Sequence, residues 1–280
     1  MIIFKKSADL VAYLKNQRKS GHGTGFVPTM GALHAGHISL IKASLAATDL
    51  TICSIFVNPR QFNDPSDLEK YPVTIEEDIL LLEKQGTDIL FLPSVEEIYP
   101  PGEIAEKYAP EELEEILEGK YRPGHFQGVL QVMNRLLKKV GPDHLFMGQK
   151  DFQQCLVVKQ LISRMKFPVQ FHMVPTCREP DGLAMSSRNQ RLNPEQREKA
   201  AVIWQTLQYI KEHLKAGNPA PMLETAHHKL DAAGFKTDYV VLGRVSNLQP
   251  VETWNGKDKI IALIAAYQGE VRLIDNLLLN

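Results

Sequence analysis

Apolar positions in the first 175 residues switch between two periods, and they predict strands and helices in alternation. Leu10, Val11 and Leu14 form a helical stripe behind Ser7, a candidate N-cap, on a helix to about Arg18. Ser20-Gly21-His22-Gly23 breaks it. Thr24 to Val27 reads as a strand, and Ile38, Ile41 and Leu45 have helical spacing on a segment reaching about Ala47. The run Thr51 to Val57 is rich in β-favouring residues and is stopped by Asn58-Pro59. Thr74 is placed to cap a helix to about Gln85, with Glu77 at the capping-box position, and Asp88 to Leu92 reads as a third strand. An acidic, proline-containing segment follows, with a short helix expected near Glu111 to Leu117. Val129, Met133, Leu136 and Val140 then share one face of a helix from Gln127 to Val140. A strand at His144 to Met147, a helix at Asp151 to Met165 and a strand at Val169 to Val174 complete the series.

This alternation predicts an α/β fold, a Rossmann-like doubly wound parallel sheet whose ligands bind beyond the carboxyl ends of the strands. Three polar clusters fall just after strand-like runs, at 28–37, 58–62 and 148–154. Beyond Pro175 the pattern changes. One helix is expected over Pro194 to Ala216 and another over Pro221 to Ala233, followed by β-rich runs at Tyr239 to Leu242, Ile260 to Ala265 and Val271 to Ile274. The expected division is a first domain of residues 1–175 and a second, smaller α+β domain of residues 176–280.

Composition narrows the class. The 280 residues are 44% hydrophobic and 23% charged, which suits a globular chain with a sizeable core. A formal net charge of −1 gives no bulk attraction to nucleic acid or to an anionic membrane. The longest apolar run near the end, Ile260 to Tyr267, is far too short to span a bilayer. Cys53, Cys155 and Cys177 are scattered and odd in number, which points to reduced thiols in a cytoplasmic protein and not to a disulfide frame or a zinc site.

Four clusters carry candidate chemistry. The stretch Pro28-Thr29-Met30-Gly31-Ala32-Leu33-His34-Ala35-Gly36-His37 is a glycine-containing strand-to-helix turn. Backbone amides at a helix start suit an anion, and two histidines three apart share one face. Phosphate contacts, metal ligation and an ordinary turn all remain open from these residues alone, although no carboxylate follows at metal-ligand spacing. Phe56-Val57-Asn58-Pro59-Arg60-Gln61-Phe62 offers the neutral donors and acceptors of Asn58 and Gln61, which suit hydroxyl and carboxylate recognition. Gly148-Gln149-Lys150-Asp151-Phe152-Gln153-Gln154 puts a glycine after a strand and a lysine at a helix start, the unfavourable end for a cation unless an anion is bound. Met185-Ser186-Ser187-Arg188-Asn189 places two hydroxyls beside an arginine that can grip phosphate with two donors.

In order, spacing and content these four clusters closely resemble those of the pantoate–β-alanine ligase (pantothenate synthetase) family, over essentially the whole chain. His34-Ala35-Gly36-His37 is similar to the signature of a wider nucleotidyl-transferring superfamily, and Met185 to Arg188 resembles its second phosphate-gripping loop. The resemblance implies ATP-dependent condensation of (R)-pantoate with β-alanine through pantoyl adenylate, releasing pyrophosphate and then AMP, with Mg²⁺. It also implies a cytoplasmic homodimer whose Rossmann-like first domain binds ATP and pantoate while the smaller second domain helps close the site.

Residue by residue, it implies that Met30, Gly31, Ala32, Leu33, His34, Ala35, Gly36 and His37 bind ATP, with His37 donating to the phosphates as charge builds. Gly148, Gln149, Lys150 and Asp151 would bind ATP too, Lys150 on the phosphates. Cys177, Met185, Ser186, Ser187 and Arg188 would complete the nucleotide site. His34, His37, Lys150, Ser186, Ser187 and Arg188 are the implied catalytic set. Gln61 and Gln154 would hold pantoate, with Gln61 also near β-alanine. Glu77 and Asp78 fall where the family has acidic residues that assist magnesium. A non-catalytic nucleotide sensor is the competing expectation, and retention of Gln61 and Gln154 argues against it, because ATP binding alone does not require them.

Overall fold

The computed structural model describes residues 1–108 and 112–280. Contacts divide it into two compact units: residues 1–148 with 157–175, and residues 149–156 with 176–280. Residues 149–156 thus group with the second unit, although the expected boundary left them in the first.

The first unit is built on a six-stranded sheet in the order β1-β4-β3-β2-β5-β6. Its strands are β1 (Ile2–Phe4), β2 (Thr24–Thr29), β3 (Leu50–Ile55), β4 (Ile89–Phe91), β5 (His144–Gly148) and β6 (Gln170–Val174), and every pairing is parallel. β2, β3 and β4 are buried almost throughout, as expected of parallel strands covered on both faces. From β2 the chain winds outward through β3 and β4, then returns to place β5 on the other side of β2. That reversal puts the topological switch point between β2 and β5, where such sheets take their ligands.

Five of the six strands match the expected ones to within about two residues at each end. β1 was not anticipated. Three residues without alternation are too short to signal a strand, and pairing with β4 is what makes them one. The expected capping box at Thr74 does not form. The Thr74 side chain makes no cap bond to the helix Ile75–Lys84, and its hydroxyl donates instead to Asp78 Oδ1 at 3.2 Å. The acidic segment contains short helices at Glu112–Glu115 and Glu118–Tyr121. Glu111, the first residue of the expected helix, lies outside the described residues.

The second unit has three antiparallel strands, β7 (Lys236–Arg244), β8 (Ile260–Gln268) and β9 (Val271–Leu278), with β8 central and almost wholly buried. Ile203, Leu207 and Ile210 of one helix and Ala226 and Leu230 of another pack with Ile260, Ala262 and Ile264 in its core. The single helix expected over Pro194 to Ala216 is two, Pro194–Ala200 and Val202–His213. Ala201 lies between them, with φ −63° and ψ −17° still in the right-handed helical region, and its carbonyl accepts Gln205 N–H at 3.1 Å. No helix among the described residues is long and apolar enough to cross a membrane.

Candidate active site

The turn after β2 has a constrained backbone. Gly31 has φ +84° and Ala32 has φ +48°, so the chain passes through the left-handed region twice in succession. That conformation costs a non-glycine residue roughly 1–2 kcal/mol. A buried carboxylate holds it in place. Asp78, 2% exposed, accepts from Ala32 N–H at 2.9 Å through Oδ2 and from Leu33 N–H at 2.7 Å through Oδ1. Gly31 N–H goes to Thr29 Oγ1 at 3.2 Å. A Cβ on Gly31 would lie 3.1 Å from both Asp78 Oδ2 and Ile55 Cγ2, so any other residue here would be tightly packed as well as strained by φ.

The histidines cap the helix Ala35–Ala47 reciprocally. His34 Nδ1 accepts from Gly36 N–H at 3.1 Å, and His37 Nδ1 accepts from His34 N–H at 3.3 Å. Their ring centroids are 4.1 Å apart. A ring nitrogen that accepts a backbone N–H carries no hydrogen, so in each neutral ring the hydrogen sits on Nε2. Both rings are therefore set as Nε2–H donors, which suits an anion. Metal ligation through Nε2 would need the other tautomer and would forfeit the capping bonds. Five amides of the turn are committed elsewhere, because Gly31, Ala32, Leu33, His34 and Gly36 give their N–H groups to protein acceptors.

The second cluster has a fixed polarity. Asn58 is 1% exposed. Its Oδ1 accepts from Arg60 N–H at 3.2 Å and from the Tyr99 hydroxyl at 2.8 Å, and its Nδ2 donates to Gly128 O at 3.1 Å. A backbone donor and a backbone acceptor thus fix which end of the Asn58 amide is which. Burial pushes the Tyr99 hydroxyl up to about 12, which keeps it a donor at neutral pH. The other Nδ2 hydrogen goes to Gln61 at 2.9 Å, so the Gln61 atom facing it is the oxygen and Nε2 faces the opposite way, 3.0 Å from Met30 Sδ. His125 Nδ1 lies 2.8 Å from Gln61 O, anchoring the same residue by its backbone. Gly128 permits this approach: a Cβ there would lie 2.6 Å from Gln61 Cα. The roles of Tyr99, Gly128 and His125 were not visible in the sequence, because they arise from pairings 41 to 70 residues apart.

In the second unit, Lys150 lies in a 3₁₀ turn, Gln149–Asp151, just ahead of the helix Phe152–Met165, and its Nζ is 3.6 Å from Asp151 Oδ1. Gln154 is half-buried and Gln153 buried. Ser186 caps the 3₁₀ helix Ser187–Arg191, its Oγ accepting from Arg188 N–H at 3.3 Å, and Ser187 is buried. The Cys177 carbonyl accepts Met185 N–H at 3.0 Å. Gly148 closes β5, and a Cβ there would meet no protein atom within 4 Å, so nothing in the packing demands glycine.

The family model for pantoate-beta-alanine ligase matches residues 2–278. The chain belongs to the pantoate–β-alanine ligase family. It is 43% identical to the pantothenate synthetase of Bacteroides thetaiotaomicron over 274 residues, 96% of this chain and 95% of that protein. It is 40% identical to that of Leptospira biflexa over 279 residues, 99% of this chain and 98% of that protein. The crystal structure of the Thermus thermophilus pantothenate synthetase superposes with a TM-score of 0.92 at 39% identity, covering 99% of each chain. The Francisella tularensis ligase, crystallised with a β,γ-ATP compound and β-alanine, superposes with a TM-score of 0.85 at 38% identity, covering 99% of this chain and 97% of its own. Membership of this family accounts for both the parallel sheet and the smaller antiparallel one.

The magnesium expected with ATP has no preformed protein cage among the described residues, which hold no cluster of three or more His, Cys, Asp or Glu side chains suited to a metal. Glu77 is exposed, and both Asp78 oxygens already accept backbone N–H groups. This donor set does not by itself fit a resident ion. It fits magnesium that arrives on the substrate's phosphates, the usual way this ion is bound.

Proposed function

We propose that this chain condenses (R)-pantoate with β-alanine, using ATP, in two steps. The pantoate carboxylate attacks the α-phosphorus of magnesium-bound ATP, giving pantoyl adenylate and pyrophosphate. The β-alanine amine then attacks the acyl carbon and AMP leaves. Neither step needs an enzyme nucleophile; both need alignment and stabilisation of negative charge. His34 and His37 donate Nε2–H to the phosphates, and Lys150, Ser186, Ser187 and Arg188 supply the remaining donors. Met30 to Leu33, Ala35, Gly36, Gly148, Gln149, Asp151, Cys177 and Met185 shape the nucleotide's surroundings. Asn58, Gln61 and Gln154 serve the acid.

One observation carries this reading. The forced Gln61 donor lies beside Met30, the first residue of the histidine turn. A donor for an acid and a signature for a nucleotide thus meet at one residue, as acid adenylation requires. The family's name and the Francisella tularensis complex with a β,γ-ATP compound and β-alanine support the same chemistry. We place the chain in the cytoplasm as a homodimer on the same family grounds, and its three free cysteines agree with a reducing compartment.

The deciding measurement is isotope exchange between pyrophosphate and ATP. Exchange should require pantoate and proceed without β-alanine. No exchange from folded protein would overturn the two-step reading, and exchange with other hydroxy acids but not pantoate would reassign the substrate.

Gln61→Glu tests the polarity argument. It keeps an acceptor for Asn58 but replaces the outward N–H with a carboxylate oxygen that opposes the acid. The KM for pantoate should rise by about 10²-fold or more, while the KM for ATP changes little. Equal losses for both substrates would show that Gln61 does not face the acid.

A further inference from the structure

Lys150 and the Ser186–Arg188 loop are both tied to one strand of the second unit. Near the end of β9, Asn276 is 2% exposed. Its Nδ2 donates to Gln149 O and to Lys150 O, both at 2.9 Å, and its Oδ1 accepts from Gln149 Nε2 at 3.2 Å. The whole hydrogen-bonding capacity that the amide shows here is spent on two consecutive residues. Two donors on consecutive carbonyls fix two peptide planes, and so the direction in which the Lys150 side chain leaves the backbone.

Asp275, its neighbour, serves the other segment. Its carboxylate takes the Arg178 guanidinium at 2.5 and 3.0 Å. Arg178 also donates to Gly182 O at 3.0 Å and stacks 3.8 Å from the Trp204 ring. It bridges Ala184 in antiparallel fashion, in the stem of the loop that ends at Ser186–Arg188. Neighbours on a strand point to opposite faces, which lets two adjacent residues reach segments that are distant in sequence.

We propose that Asn276 is a positioning residue for adenylation: it aims Lys150 at the phosphates, and the Asp275–Arg178 pair sets the companion loop from the same strand. This rests on the ligase reading above. Neither residue touches substrate in the proposal; both act through the groups that do.

Asn276→Asp is the sharpest test, because it keeps the shape, removes both donors and turns an oxygen toward two carbonyls. Pantoate-dependent exchange should fall about 10²-fold in kcat, the scale of a small misplacement of a catalytic group. Aminolysis of preformed pantoyl adenylate by β-alanine, which involves no pyrophosphate, should stay within about threefold of wild type. Adding Lys150→Ala to Asn276→Asp should cost less than about threefold more, since both act through one group. Amide hydrogen exchange at 149–151 should speed up while the core around Ile203, Leu207 and Ile264 is unchanged. Parallel losses in both half-reactions, losses that multiply, or unaltered amide exchange at 149–151 would each overturn the proposal. If the wild-type protein shows no pyrophosphate exchange, the ligase reading fails, and the amide exchange still decides whether Asn276 fixes the loop.

Discussion

His37→Ala is expected to lower pantoate-dependent exchange about 10²–10³-fold, the usual loss when one preorganised donor to developing charge is removed. The reason lies in the ring's two nitrogens. Nδ1 is committed to the His34 N–H, so in the neutral ring the hydrogen is on Nε2 and the tautomer is already that of an Nε2–H donor. Alanine removes that donor and also a capping acceptor, and the lost cap costs roughly 1 kcal/mol of stability. On a chain of this size that is a drop of a few degrees in Tm at most, so the protein remains folded. His37→Asn separates the two effects. Its side-chain oxygen can still accept from the His34 N–H, but it offers no donor where Nε2 was. Exchange should fall as far as in the alanine variant while Tm stays near wild type. Turnover near wild type in either variant would remove His37 from catalysis; a fall in Tm large enough to explain the lost activity would make its role structural.

Much of the first unit was legible because local and tertiary signals agree there. The period-2 and period-3.6 patterns of residues 24 to 57 predict a βαβ unit, and the sheet pairs β2 with β3 in parallel along six registered positions. The four clusters were legible as motifs because their chemistry is contiguous. What the sequence did not show was how the motifs are held. Asp78 is 46 residues from Ala32, and Asn276 is 127 from Gln149. Such ties have no period and no local composition, so only the folded chain reveals them. The histidine turn shows the same limit in finer detail. Helix-start reasoning puts its amides on an anion, yet five of those amides are spent on Thr29, Asp78 and the two imidazoles, which is why the proposal gives the anion to the rings.

Asp78→Ala is expected to be the most damaging single change in the first unit. It strips the acceptor from Ala32 N–H, which is buried, and from Leu33 N–H, which is half-buried. Hydrogen bonds to a charged group are worth about 1.5–3 kcal/mol each, and a buried donor left unmet carries its full desolvation cost. With Ala32 at φ +48° no longer held, the turn would relax away from the left-handed region. A loss of about 3–5 kcal/mol is expected by urea unfolding of the ligand-free protein, with exchange below about 1% of wild type. The same residue is where the family resemblance implies help for magnesium, and the two roles make different predictions. A carboxylate that served only the ion would leave ligand-free stability unchanged when replaced by asparagine, and excess magnesium would restore exchange. A carboxylate that clamps the turn loses stability with no nucleotide present, because the asparagine amide sets its own N–H against a backbone N–H, and added magnesium does not bring activity back. The bonds at 2.7 and 2.9 Å predict the second outcome for Asp78→Asn, and restoration of exchange by magnesium at unchanged stability would reverse that assignment.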